Sequence, residues 1–281
     1  MNRIYAFDSR SALGCAITLT RREFVRSAAS AAAAGVLGCS PSVQQDPPDN
    51  SLLYATLRSR PRKPSERVSR GFQPLRLGTE RDGFLYVPPS YSPEKATPLV
   101  VLLHGAGRHS SDWSSPRFAG LFDNPPIVVI APDSRRATWD VLNGGFGPDV
   151  GFIDESLDLV FGMCNVDPAH VALGGFSDGA SYALSLGLAN GDLFNALIAF
   201  SPGFNEPPTR RGMPRIFVAH GRQDQILAID AASRPIVRAL RRDGYEVEYE
   251  EFEGRHTVTA DEVTRAMRWF VGRQSLLRNE G

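Results

Sequence analysis

The chain has 281 residues, 42% hydrophobic and 22% charged, enough for one large domain or two small ones around a buried core. Its 31 basic residues balance 31 acidic ones, which removes the electrostatic footprint of a nucleic-acid binder. Three cysteines, Cys15, Cys39 and Cys164, are too widely spaced for a disulfide framework or a zinc site. No apolar run reaches the roughly 20 residues of a transmembrane helix. Lysine occurs only at Lys63 and Lys95, against 29 arginines. That skew reads as base composition, and it gives the arginines no functional weight.

The N-terminal region reads as an address rather than as part of the fold. Thr20-Arg21-Arg22-Glu23-Phe24-Val25-Arg26 precedes an alanine-rich stretch, Ala28 to Leu37, and resembles a twin-arginine export signal. The stretch ends in Val36-Leu37-Gly38-Cys39, which resembles a bacterial lipobox and makes Cys39 the candidate for lipidation. The competing reading is an alanine-rich surface helix. Ser40 to about Ser69 is rich in Pro, Ser, Gln, Asp and Arg and reads as a solvated tether. The expected organisation is therefore a signal over 1–38, a flexible tether over 39–70 and one folded domain over 71–281. Without residues 1–38 the chain holds 26 basic and 29 acidic residues, a formal charge of −3. Location in the cell envelope or outside the cell follows, with membrane contact only through an anchor at Cys39.

From Leu75 onward, short apolar runs alternate with amphipathic helices. Leu75 to Val87 holds two strand-like pieces around Gly78 to Gly83, an opening hairpin. The runs Leu99–Leu103, Ile127–Ile130, Val171–Leu173, Ala196–Phe200 and Ile216–Ala219 are continuous, as in strands buried on both faces of a parallel sheet. Ile153, Leu157, Val160, Phe161 and Cys164 share one helix face, which makes Cys164 a core residue. Ile229, Ala232, Ile236, Val237 and Leu240 repeat that spacing, as do Val263, Met267, Phe270 and Val271. Val247-Glu248-Tyr249-Glu250 alternates, as an edge strand should. The expected fold class is α/β, with a mostly parallel central sheet and helices on both faces.

Four motifs fall at the ends of those strands. Gly175-Phe176-Ser177-Asp178-Gly179 matches G-x-S-x-G between a strand and a helical run, the context a nucleophile elbow requires. A serine hydroxyl needs a base, and only His220 and His256 follow Ser177. His256, in Glu253-Gly254-Arg255-His256-Thr257, is the expected base. His220-Gly221-Arg222-Gln223-Asp224 supplies Asp224 as the acid and leaves His220 as a structural residue. Acyl transfer also needs donors for a developing oxyanion. The N–H of Asp178 is one, and Ala106, in the loop His104-Gly105-Ala106-Gly107, is the expected other. His104 reads equally as a core histidine.

These four loops in this order resemble the α/β-hydrolase superfamily, over about residues 71–274. The short spacings resemble its phospholipase/carboxylesterase and polyhydroxybutyrate-depolymerase-like esterase branches. Ala106 stands where the depolymerase branch often has cysteine, which favours a general esterase. Ala131-Pro132-Asp133 followed by Thr138-Trp139-Asp140 is also similar to those branches and implies that Trp139 lies beside the pocket. The resemblance implies an α/β-hydrolase fold, hydrolysis of carboxylic esters through Ser177, His256 and Asp224, and no cofactor or metal. Ser201 to Arg215 is too short for a lid domain, so the site should be open to a small-molecule or polymeric ester. His104, Gly105, Trp139, Phe146 and Phe204 are the candidate substrate-binding residues, with Phe152 nearby. Alternatives on the same residues are a polyhydroxyalkanoate or feruloyl-type esterase, an acyltransferase, a peptidase, or a non-catalytic lipoprotein that binds a ligand.

Overall fold

The computed structural model describes residues 55–78, 80–143 and 145–272, together with two short strands near the N-terminus. Those two, β1 (Ile4–Ala6) and β2 (Ile17–Leu19), pair antiparallel with each other and stand outside the main sheet. The Arg21-Arg22 pair, the alanine-rich stretch and Cys39 lie outside the described residues.

The main sheet has eight strands: β3 (Gly71–Pro74), β4 (Gly83–Val87), β5 (Thr97–Leu103), β6 (Val128–Pro132), β7 (Val166–Phe176), β8 (Ala196–Phe200), β9 (Arg215–Gly221) and β10 (Val247–Phe252). Their spatial order is β10-β9-β8-β7-β5-β6-β4-β3. β3 and β4 form the antiparallel hairpin, with Phe72 opposite Tyr86, and β4 pairs antiparallel with β6. The expected hairpin is present, but its first strand ends where Leu75 was to begin it. Leu75 is buried at the turn, and Arg76 takes φ 60° just beyond. Every pairing from β6 across to β10 is parallel.

Among the described residues four α-helices cover the sheet: α1 (Pro148–Met163), α2 (Asp178–Ala189), α3 (Ser233–Arg242) and α4 (Ala260–Gly272). The apolar run of β5 shows why its pattern is continuous. Leu99, Val101 and Leu103 enter the core under α1, α2 and α3, whereas Val100 and Leu102 enter the core on the opposite face with Val263, Met267 and Phe270 of α4. All five are fully buried, each stabilising the fold by about 1.5–3 kcal/mol. Ile229 and Ala232, expected on a helix with Val237 and Leu240, precede α3 but are buried beside it. Cys164 caps α1 in the core, where burial pushes its thiol up to about 12 and leaves it inert.

The segment expected to be a solvated tether up to residue 70 is held to the domain from Ala55 onward. Ala55 and Leu57 are buried. Asn190, at the end of α2, accepts a hydrogen bond from Leu57 N (2.8 Å) and donates one to Ala55 O (2.8 Å). The chain then follows α1: Arg58 N and Ser59 N donate to Asp154 Oδ1, Arg62 pairs with Asp158 (2.6 Å), and Ser65 N donates to Gly162 O (2.9 Å). Composition hid this strap because it is held through its backbone and two arginines, not by an apolar face of its own.

The chain order β5, β6 on one side and β7 onward on the other makes β5 and β7 a topological switch point. The loops after these two strands diverge and leave a crevice at their C-terminal ends. The connection from β8 to β9 does not cover that crevice. It runs along α2, with Gly203 N bonded to Ser181 Oγ (2.8 Å) and Arg211 N to Leu188 O (2.9 Å).

Candidate active site

Ser177 sits between β7 and α2 at φ 57°, ψ −119°, a conformation L-residues rarely adopt. Such a backbone costs on the order of 1–3 kcal/mol and persists only when its surroundings impose it. Here Ser177 N donates to Phe200 O (2.8 Å), and the Ser177 carbonyl accepts Ala180 N and Ser181 N (3.0 Å each). Gly179 allows the elbow to lie against β5, since a Cβ there would come within 2.5 Å of the carbonyl oxygens of Leu103 and His104.

The three residues expected to work together do meet. His256 Nε2 lies 2.8 Å from Ser177 Oγ, and His256 Nδ1 lies 2.6 Å from Asp224 Oδ2. Asp224 comes from the loop after β9 and His256 from the loop after β10. Gly221 lets those loops close together, because a Cβ there would strike the carbonyl oxygens of Gly254 and Arg255 at 2.5 Å. Asp224 Oδ1 accepts the N–H groups of Ile226 (2.9 Å) and Leu227 (2.8 Å), which fixes the carboxylate. Burial alone would raise its pKa, but hydrogen bonds from His220, His256 and Leu227 N outweigh that and hold it well below the usual carboxylate range.

His220, expected as a structural residue, is fully buried at the end of β9 and faces the acid. Its Nε2 is 3.1 Å from Asp224 Oδ2 and 2.9 Å from Leu227 O. The ring therefore presents an Nε2–H to both, and its Nδ1 is buried without a partner among the described residues. Sequence order separated His220 from His256 as candidate bases. It could not reveal that both imidazoles face one carboxylate.

Asp178 is the first residue of α2, where N–H groups have no intrahelical partner and point outward. Its side chain turns away and accepts Thr138 Oγ1 (2.8 Å), and burial raises its pKa. Ala106 is exposed on the loop after β5. That loop is held by Gly107 N donating to Ala137 O (2.6 Å). Gly105 adjoins Ser177, with a Cβ built there only 3.5 Å from Ser177 Cβ.

The expected substrate pocket is corrected by the structure. His104 is 1% exposed. Its Nδ1 bonds Gly105 O (2.7 Å), its Nε2 accepts Ser134 N (3.0 Å), and burial lowers its pKa, so its ring holds the loop in the neutral form. Trp139 is fully buried, with Nε1 donating to His104 O (2.8 Å) and its ring between those of His104 and Tyr182. Phe146, Phe152 and Phe204 belong to the core under α1 and α2. An aromatic residue's type does not reveal whether it faces a cleft or the core, and here the core claimed all four.

The cleft beside Ser177, about 230 Å³, keeps His104 and Gly105 of the expected residues and is otherwise lined by Arg108, Asp112, Trp113, Arg117, Phe118, Phe176, His256, Thr257 and Val258. Phe176 precedes the serine in its motif, and its ring lies 4.8 Å from that of His256. Trp113 lies farther along the loop that follows β5 and carries Ala106. Phe118 and Arg117 follow in a 3-10 turn that carries no motif.

A mostly parallel eight-stranded sheet with a serine elbow after its central β7 defines an α/β-hydrolase fold. The family model described as the alpha/beta hydrolase family matches residues 100–279, and the chain belongs to that family. Among solved structures, it is similar to an S-formylglutathione hydrolase from Staphylococcus aureus, at 18% identity and TM-score 0.57, covering 73% of this chain and 99% of that one. A Bacillus cereus carboxylesterase matches at 19% and 0.52, covering 69% and 94%. A ferulic acid esterase from Anaeromyces mucronatus matches at 19% and 0.53, covering 75% and 96%. At such identities the likeness is one of fold.

Proposed function

We propose that this hydrolase is a serine esterase that cleaves carboxylic esters through an acyl-enzyme. The observation that carries the reading is the continuous chain from Ser177 Oγ through both nitrogens of His256 to Asp224 Oδ2. His256 takes the serine proton as Oγ attacks the acyl carbon. The N–H groups of Asp178 and Ala106 receive the oxyanion, a donor pair in which each member is worth about 10²–10³ in rate. His256 then gives its proton to the leaving alkoxide, and in the second half-reaction it activates the water that releases the acid. Asp224 stays ionised throughout, orienting His256 and stabilising the imidazolium.

The test is ester hydrolysis by purified protein with 4-nitrophenyl acetate and butyrate, alongside labelling by a fluorophosphonate. Ser177→Ala should abolish labelling and reduce kcat by about 10³-fold or more. Undiminished hydrolysis by that variant would refute the assignment. The wild-type protein's failure to react with the probe would instead favour a ligand-binding protein.

Export with lipidation at Cys39 is part of the same proposal, motivated by Arg21-Arg22 and Val36-Leu37-Gly38-Cys39. Fifteen residues separate Cys39 from Ala55, which is packed on the domain, a contour length of at most roughly 60 Å. Cys39→Ser should abolish labelling by a palmitate analogue and release the protein from the membrane fraction. Unchanged labelling would sink the lipidation.

A further inference from the structure

The cleft beside Ser177 has a charge pattern that the proposed hydrolysis does not use. One wall is built by Arg108, Asp112, Trp113, Arg117 and Phe118, facing the segment that begins at His256. The two arginines on it are committed differently. Arg108 is ion-paired with Asp112 four residues on, so that pair is locally neutral. Arg117 has its guanidinium carbon 4.5 Å above the Phe118 ring and no carboxylate partner among the described residues. A cation–π contact orients a guanidinium without neutralising it. Asp112, the one acidic side chain lining the cleft, is already taken. Arg117, exposed at the cleft, is therefore the one arginine of the lining that no carboxylate of the lining pairs with.

Trp113 gives a second, independent indication. It lines the same wall and is 2% exposed, and its indole N–H has no acceptor among the described residues. A buried donor left without an acceptor costs about as much as a lost hydrogen bond, so such groups call for a partner. Phe118, Phe176 and Val258 supply apolar surface beside these donors. An exposed guanidinium without an ion-pair partner and a buried indole N–H without an acceptor, beside an apolar surface, suit an anion on an apolar body. One unmatched guanidinium calls for one negative charge, and its planar fork fits a carboxylate bidentately.

We infer that the cleft binds the carboxylate of an anionic ester, with Arg117 as its charge partner and Trp113 as a flanking donor. This inference rests on the esterase reading and narrows its substrate class to small esters that retain a free acid. At about 230 Å³ the cleft is smaller than a site for a drug-sized ligand.

The experiment compares kcat/KM within two matched pairs. Acetylated 4-hydroxybenzoate against its methyl ester places the charge on the alcohol half, and monoethyl against diethyl succinate places it on the acyl half. The anionic-to-neutral ratio in at least one pair should fall about tenfold in Arg117→Gln, mostly through KM. Arg117→Lys should retain part of the preference, and Trp113→Phe should lower the ratio about threefold. Raised salt should shrink the wild-type ratio. Ratios that match between wild type and Arg117→Gln in both pairs, with the esters still turned over, would overturn the inference. If the wild type hydrolyses none of these esters, the 4-nitrophenyl esters decide the esterase reading separately, and calorimetry with 4-hydroxybenzoate decides the cleft. Binding weakened about tenfold by Arg117→Gln would support the anion site, and equal or absent binding would overturn it.

Discussion

Two aspartates, the buried Asp224 and the half-buried Asp140, support the candidate site from opposite sides. On the β9 side, Asp224 accepts two backbone N–H groups and two imidazole N–H groups. On the β6 side, Asp140 accepts the Tyr182 hydroxyl (2.9 Å) and the N–H groups of Gly147 (2.9 Å) and Asp149 (2.8 Å). Both are well supplied with donors, yet Asp224 is held far below the usual carboxylate range and Asp140 is pushed up to about 6. Burial raises both. The difference is the neighbour: Asp224 faces two imidazoles, whereas Asp140 faces the carboxylate of Asp149, itself raised by burial. One side therefore keeps a fixed negative charge next to the proposed base. The other side is a buttress whose carboxyl is raised by burial and by Asp149, and it is linked to the site through Tyr182 and Trp139 beneath the loop after β5.

The largest effect that could break this contrast is at Asp224. In Asp224→Asn, one amide oxygen must serve four donors that two carboxylate oxygens served before, and the amide's own N–H groups oppose them. His256 loses the partner that sets its tautomer, and kcat should fall about 10³–10⁴-fold. Stability should also fall by about 2–3 kcal/mol, because buried donors are left unpaired. Urea denaturation and steady-state kinetics on one preparation would check both. Near-wild-type turnover would mean that Asp224 does not orient the base.

Trp139 tests the buttress at the next scale. Trp139→Phe keeps an aromatic ring between His104 and Tyr182 but deletes the hydrogen bond to His104 O. The oxyanion loop would lose a fixed point, and its donor is needed in the transition state rather than in substrate binding. The expected outcome is about a tenfold lower kcat with KM nearly constant. A higher KM at constant kcat would instead put Trp139 in ground-state binding.

The parts legible in the sequence are those where a local pattern and a chemical requirement coincide. The strands β5 to β9 announced themselves because burial on both faces forces continuous apolar runs. Ser177, Asp224 and His256 stood out because elbow chemistry needs glycine at set positions and because so few histidines follow the serine. Trp139, Phe146 and Phe204 were misread, since an aromatic side chain suits a pocket wall and a core equally. Arg117 was passed over among 29 arginines, and only its place in the cleft distinguishes it. The strap from Ala55 is likewise a matter of partners far along the chain, Asn190 and Asp154, and no local period encodes them.

The smallest expected effect is thermodynamic and concerns Asp140. Its folded pKa of about 6 lies above the ordinary value near 3.9 for an unfolded aspartate. Between those values the native state binds more protons than the unfolded chain, so stability falls as pH rises. The contribution is fully present below about pH 4 and gone above about pH 6. Asp140→Asn removes this titration while leaving an oxygen for the N–H groups of Gly147 and Asp149. Urea midpoints at about pH 5 and about pH 7.5 would measure the consequence. The variant should gain roughly 1 kcal/mol relative to wild type on going to the higher pH, less than the full shift implies because Asp140 is partly exposed and coupled to Asp149. The pH slope left in the variant combines Asp149, raised by burial, with His104, lowered by burial, which act in opposite directions, and Asp149→Asn in the same background should remove the falling part. If wild type and Asp140→Asn kept the same stability difference across that range, Asp140 would be as firmly ionised as Asp224, and the contrast between the two sides would be lost.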